Sequence, residues 1–267
     1  VNQPVAADDS SSTAVPASGT EPAAEDATAA ADDAAGGAAR DTILVTGRDA
    51  EAYLQGQVSA DVCALAEGAT AWSLALEPTG KMVALFRIHR CAGGAFLVDV
   101  DAGHAEPLLA RLRRFVLRTD VSFEPSAQQI PEPFSWPGVS DPADERQRIL
   151  ALLPRMGAEI TPETIPAECG QTMIDLAVSF DKGCYTGQEL VARIDSRGAR
   201  VPRPIRVLQA GSPIAPAATV VFEGAEVGRV TSAAGDVALA QLKRAVRIGS
   251  VVQAGGVDAV LIEPVGS

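Results

Sequence analysis

The stretch 181-DKGCYTGQELVARIDSRG-198 decides how this chain is read, because a glycine-flanked cysteine runs directly into a short amphipathic helix. Thr186 or Gly187 suits the N-cap, Gln188–Ser196 forms the helix, and Gly198 ends it. Cys184 then lies within a turn of a helix N-terminus and beside Lys182, both of which favour a thiolate, whereas Glu189 opposes it. Gly183 and Gly187 permit close backbone approach or a positive φ. These residues alone leave Cys184 open between a functional thiol and a small buried hydrophobe in a tight turn.

The rest of the chain narrows the chemistry. With 267 residues, 47% of them hydrophobic, it is long enough for two ordinary domains or one large composite unit. Four cysteines (Cys63, Cys91, Cys169, Cys184) without a CxxC pair argue against a disulfide scaffold and for a reducing, cytoplasmic setting. No run approaches the ~18 apolar residues of a membrane span, and no basic and apolar leader is visible. A covalent Cys–His mechanism needs a base, but the two histidines, His89 and His104, fall in an apolar strand and at a helix start. No Cys/His spacing resembles a metal site, so no metal is expected.

The net charge of −12 is uneven: residues 1–40 carry seven acids (Asp8, Asp9, Glu21, Glu25, Asp26, Asp32, Asp33) against Arg40 alone. That Ala-, Ser- and Pro-rich segment buries too little to offset its ordering entropy and is expected to be disordered. Its charge disfavours general nucleic-acid binding, so no direct nucleic-acid contact is expected. One basic cluster runs against the trend: Arg193, Arg197, Arg200, Arg203 and Arg206, a set able to hold carboxylates or phosphates or to form a solvated face. Arg111, Arg113, Arg114 and Arg118 read as the polar surface of their own helix.

Periodicity divides the chain. Strands are predicted at 42–46, 69–78, 82–90, 95–100 and 120–124, with a helix starting at Asp49 and another over 105–118, capped by Asp101 and burying Leu108, Leu112, Phe115 and Val116. This is an α+β layer of helices against an antiparallel sheet. Residues 125–145 read as a connection, and 146–200 show little clean periodicity before the closing helix. Beyond Pro202 and Pro204, six short β-rich runs (205–209, 219–223, 226–232, 237–242, 250–254, 258–263) predict a small barrel or sandwich. The expected organisation is a tail at 1–40, an α+β region at 41–200 and a β-domain at 201–267.

These residues also carry a family resemblance. KGCYTGQE (182–189), continuing into Val191-Ala192-Arg193, resembles the signature of the YgfZ family, proteins related to the aminomethyltransferase (T-protein, GcvT) of the glycine cleavage system. The run 45-VTGRDAEAYLQGQVSADV-62 is similar to that family's opening motif, and 79-TGK-81 to its Gly-Lys hairpin. The segment 148-RILALLPRMGAEI-160 is also similar, departing at Leu152 where the family has glycine; 226-EVGRVTSAAGDVALAQLKR-244 resembles the last-domain hairpin.

The resemblance implies a three-lobed fold: two interleaved α+β lobes around a channel and a C-terminal β-barrel. It implies tetrahydrofolate as ligand, a polyglutamylated form included, with the arginine cluster suited to the glutamate tail. It further implies support of iron–sulfur cluster assembly or repair, clusters of tRNA-modifying enzymes included, with cluster proteins as partners. Carried over by position, Cys184 is the functional thiol. Lys182, Gly183, Tyr185, Gly187, Gln188, Glu189 and Arg193 surround it, and Gln55 and Gln57 of 54-LQGQ-57 face the folate channel. Two alternatives stand beside this reading. One is one-carbon transfer of the aminomethyltransferase type, steered by a carboxylate such as Asp49 or Glu189; the other is a non-catalytic scaffold that docks on cluster proteins. Aminomethyltransferase-like ancestry is implied without requiring classical turnover.

Overall fold

Alternation of apolar residues builds the first sheet. β1 (Arg40–Thr46), β2 (Thr70–Leu76), β3 (Met82–Arg90), β4 (Phe96–Asp101) and β5 (Ser122–Ser126) pair antiparallel in the order β2-β3-β4-β1-β5. The computed structural model describes residue 1 and residues 39–266 except 132 and 199, so the expected disordered tail lies almost wholly outside the described residues. The described residues from 39 onward form one compact unit.

Register gives the sheet two unlike faces. Ser73 faces Phe86, which faces Val100, on the side that packs against α1 (Ala50–Gln57), α2 (Ala105–Arg113) and α4 (Gln171–Ala177). On the other side Trp72 faces Arg87, Arg87 faces Asp99, and Asp101 faces Arg40. That second face buries charge: Asp99 has no exposed surface and receives the guanidinium groups of both Arg40 and Arg87.

α2 is shorter than its sequence suggests. It stops at Arg113, Phe115 is 41% exposed, and the N-cap is His104 rather than Asp101. Asp101 is committed elsewhere, accepting from Arg40 Nη1 at 2.6 Å and Met156 N at 2.9 Å. The chain turns back at Val116 N→Arg113 O and reaches Arg118 with φ +56°, a value no right-handed helix allows.

The region without periodicity holds α3 (Glu145–Leu150), capped by Asp144 Oδ1 accepting from Arg146 N and Gln147 N, and α4. At six and seven residues, each is too short to display a 3.6-residue repeat. α5 (Gln188–Asp195) follows. Leu152, where glycine was the family expectation, keeps a glycine-like turn with φ +50° and is itself buried.

All six β-rich runs form strands: β6 (Ile205–Ala210), β7 (Thr219–Phe222), β8 (Ala225–Ala234), β9 (Val237–Leu242), β10 (Val251–Ala254) and β11 (Val257–Ile262). Of the two expected architectures they adopt the barrel, closed in the order β10-β11-β6-β9-β8-β7. Leu208, Val230, Ala240, Leu242, Val252 and Leu261 fill it. Ile205, Val207, Val237 and Leu239 point outward into the main core, so β6 and β9 are buried on both faces. Closure is thinnest between β10 and β7, where Gln253 faces Val221 and Ala254 faces Val220.

Candidate functional site

The KGCYTGQE turn is pinned by its backbone. Gly187 is the N-cap of α5 with φ +86°, and a Cβ there would lie 2.6 Å from Glu77 O and 2.7 Å from Leu76 Cβ at the end of β2. Only glycine allows both the left-handed conformation and this approach. Gly183, by contrast, has open space where a Cβ would stand, so close approach does not explain it.

The turn also touches α1 directly. Thr186 N donates to Gly56 O at 3.2 Å, and Thr186 Oγ1 lies 3.5 Å from Gln57 Oε1. Arg111 Nη1 donates to the same Gln57 oxygen at 3.0 Å while its Nε donates to Leu76 O at 2.6 Å. The structure thus brings Gln57 to the motif. Gln55 is spent on the loop after α1: its amide donates to Asp61 and its oxygen accepts from Val62 N and Cys63 N.

Alternate side chains of the motif point in and out. Lys182 is buried, and Nζ donates to Val58 O at 2.8 Å and Ala60 O at 2.7 Å, 5.2 Å from the centre of the Tyr185 ring. Burial holds its pKa down to about 8, with Asp61 and Cys63 opposing the shift. This corrects the expectation of Lys182 as the cation that serves the Cys184 thiol: its ammonium is a clasp on the loop after α1. Tyr185 is buried too, and desolvation pushes its hydroxyl up to about 12. Cys184, Glu189 and Arg193 are exposed, Gln188 is half-buried, and Cys184 is a free thiol.

Two polar atoms in this region are buried without a hydrogen-bond partner: Tyr185 Oη and Arg111 Nη2. Sequence reading assigned Arg111 to the surface, yet it is 3% exposed. An arginine among Arg113, Arg114 and Arg118 gives no sign by itself of which one turns inward.

A second set of residues gathers on the charged face of the sheet. Arg40, Trp72, Leu85, Asp101, Phe134, Arg148, Leu153 and Arg155 line a narrow cleft. Trp72 meets Phe134 edge-on at 5.2 Å and Trp136 at 5.3 Å, and the Arg40 guanidinium lies 5.8 Å from the Trp72 ring and 5.9 Å from Phe134. Sequence reading missed this cleft, treating 125–145 as a plain connection. A usable signal existed: the chain's two tryptophans and Phe134 are scarce aromatics, and two of the three fall in that connection.

The five-arginine cluster does not act as one. Arg193, Arg197, Arg200 and Arg203 are exposed; Arg203 lines a recess with Arg229 and Lys243, while Arg206 turns into a different crevice. His89 is a buried strand residue whose Nδ1 lies 2.9 Å from Thr70 Oγ1, and His104 caps α2. Asp49, imagined as a folate-steering carboxylate, accepts from Asp120 N instead. Among the described residues no group of three or more His, Cys, Asp or Glu side chains is arranged to hold a metal ion, and no helix is long and apolar enough to cross a membrane.

Comparison with known proteins places this arrangement. Residues 203–265 match the CAF17 C-terminal beta-barrel domain. Among solved structures, aminomethyltransferase T of the glycine cleavage system from Bartonella henselae superimposes with a TM-score of 0.68 at 17% identity, over 84% of this chain and 82% of that one. The fold is therefore that of an aminomethyltransferase with a C-terminal barrel. Among curated proteins, an uncharacterized protein of Haemophilus influenzae is 33% identical over 59% of this chain and 66% of its own length. The tRNA-modifying protein YgfZ of Vibrio vulnificus is 28% identical over 73% of this chain and 75% of its length, and that of Escherichia coli K12 25% identical over 58% and 65%. The C-terminal domain thus matches the CAF17 barrel family, and the chain as a whole is similar to YgfZ proteins on an aminomethyltransferase fold. It spans about two thirds of the length of the Haemophilus relative.

Proposed function

We propose that this protein binds tetrahydrofolate and supports the assembly or repair of iron–sulfur clusters, including those of enzymes that modify tRNA, through the Cys184 thiol. The observation that carries the reading is the motif itself. Its Lys182 and Tyr185 are buried anchors, its Thr186 and Gly187 dock on α1 and β2, and the side chain left exposed on this rigid turn is Cys184. A turn held this tightly presents a thiol to a partner without ordering cost on the protein's side.

What speaks for folate on the chain's side is the chemistry of the groups beside the motif, not a preformed cavity. A reduced pterin is a planar heterocycle with donors and acceptors on its rim, and the glutamate tail adds carboxylates. Trp72 and Phe134 line the cleft beside Arg40 and Arg155, which are already paired with acids, while beside the motif the orphaned Arg111 Nη2 and Tyr185 Oη are buried polar atoms in want of partners. When bound, tetrahydrofolate supplies a reduced one-carbon carrier. The chain's own part is to orient it and to keep Cys184 in the open, where it can attack or ligate as a thiolate.

The carboxylates beside the cleft are held in ion pairs. Asp99 and Asp101 receive Arg40, and Glu145 receives Arg148 and Arg155. Titration calorimetry with tetrahydrofolate tests the binding, with Trp72→Ala expected to weaken it at least tenfold. Cluster-dependent activity of a tRNA-thiolating enzyme, followed with wild type and Cys184→Ser, tests the thiol. Full activity with the serine variant would reduce the protein to a docking scaffold.

A further inference from the structure

The seam between α4 and the barrel holds a crevice of about 200 Å3. Ile174, Val201, Pro204 and Ile205 supply apolar walls, and two guanidinium groups, those of Arg206 and Arg244, share the space. It has no lining residue in common with the aromatic cleft.

Arg206 is in an unusual position. Its Nε is buried and has no hydrogen-bond partner, and burial lowers its pKa despite the field of Glu263. Among the described residues neither Arg206 nor Arg244 forms an ion pair with a carboxylate. Glu263 is exposed on the strand exit, Asp175 accepts from Gln171, and Glu168 feels Arg203. A half-desolvated guanidinium with an empty Nε, facing a second guanidinium, is costly unless an anion completes it.

We infer that this crevice is a binding site for a small organic oxyanion, a carboxylate or phosphate on a short apolar stem. The guanidinium groups of Arg206 and Arg244 would hold the charged end, and Ile174, Val201 and Pro204 would cover the stem. The side-chain amide of Gln171, whose Nε2 already donates to Asp175 at 2.8 Å, leaves its oxygen free to accept from a ligand hydroxyl. An anion here bridges α4 and the barrel, so its binding is read directly as added stability.

The test measures melting temperature against added succinate and inorganic phosphate, with chloride at matched ionic strength as control. A saturable rise of a few degrees with succinate, phosphate or both is expected in wild type. In Arg206→Met, which keeps the stem and removes the charge, the rise disappears, while the anion-free protein melts at the same temperature or higher. Tetrahydrofolate binding stays unchanged in this variant, which separates the crevice from the proposed folate site. No saturable shift, an equal shift in Arg206→Met, or a markedly lower anion-free melting temperature overturns the proposal. Loss of tetrahydrofolate binding in the variant does so too, because the crevice would then be the seat of the folate tail.

Discussion

Glu159 and Ser232 meet across the joint between the α+β region and the barrel, with Ser232 Oγ donating to Glu159 Oε1 at 2.6 Å. The second oxygen of the same carboxylate accepts from Arg148 Nη1 at 3.1 Å and from Arg155 N at 3.0 Å. Glu159 and Arg148 are both 3% exposed, so this is a buried, fully satisfied charge. Removing one member of such a pair strands the other. Glu159→Ala is expected to lower unfolding free energy by about 3–5 kcal/mol, and Ser232→Ala by about 1.5–3 kcal/mol, because its hydrogen bond is charge-assisted. Urea unfolding of the three proteins checks both values.

Lys182 predicts a pH dependence with a definite sign. Its pKa is about 8 in the folded chain against an ordinary 10.5, so between those values the unfolded chain binds a proton that the folded one does not. The cost of burying the charge is fully present below pH 8 and relieved as pH rises to 10.5. The shift corresponds to roughly 3 kcal/mol. Compared with Lys182→Met, the wild type should therefore gain stability across this window, with that figure as the ceiling because solvent screens part of the shift. Measuring both proteins at each pH cancels the other titrating groups; parallel curves would show that the lysine is not desolvated.

The unpartnered Tyr185 hydroxyl makes the opposite kind of prediction. Deleting it removes a buried polar atom that bonds to nothing in the free protein, so Tyr185→Phe is expected to be neutral or stabilising at pH 7 by up to about 1 kcal/mol. If the hydroxyl serves bound tetrahydrofolate, the same variant binds that ligand more weakly, which calorimetry reads separately from stability.

Gly187→Ala should break the motif without touching its chemistry. The substitution places a Cβ 2.6 Å from Glu77 O at φ +86°. Left-handed strain of about 1–2 kcal/mol and the steric clash add, for an expected loss of 2 kcal/mol or more. The docked turn should loosen, so the Cys184 environment changes while the thiol is retained.

Thiol labelling separates the four cysteines. Cys184 is exposed and should react first. Cys63 is exposed as well, but partial burial and then a hydrogen bond to Glu51 raise its pKa, and it should follow more slowly with the partly buried Cys91. Cys169, fully buried with its pKa pushed well above 9.0, should react only on unfolding. Cys184→Ser is expected to change stability by less than about 0.5 kcal/mol.

Strands were legible in the sequence where alternation or a continuous apolar run was long enough, and every barrel strand was found this way. α3 and α4 were not, because two helical turns carry too few residues to set a period against a Pro- and Asp-rich background. The motif turn was legible as far as Gly187, one of the two caps it offered, and a helix that ends at Asp195 rather than Ser196. The direction of Lys182 was not, since an ammonium beside a cysteine in sequence is free to point away from it in space. The inward turn of Arg111 and the meeting of Trp72 with Phe134 depend on contacts between residues some 35 and 62 positions apart. Local pattern holds no record of such meetings.

The barrel closes like a cuff with a short clasp. Between β10 and β7 only two residue pairs hold the ring shut, while β6, β9 and β8, the strands that meet the main core, α3 and the Arg206 crevice, lie on the far side of the ring. Transient opening at that clasp would expose the barrel interior and leave the grip on the rest of the molecule intact. The wall carrying Ser232 and Arg206 can then stay in place through fluctuations that admit solvent to the other side.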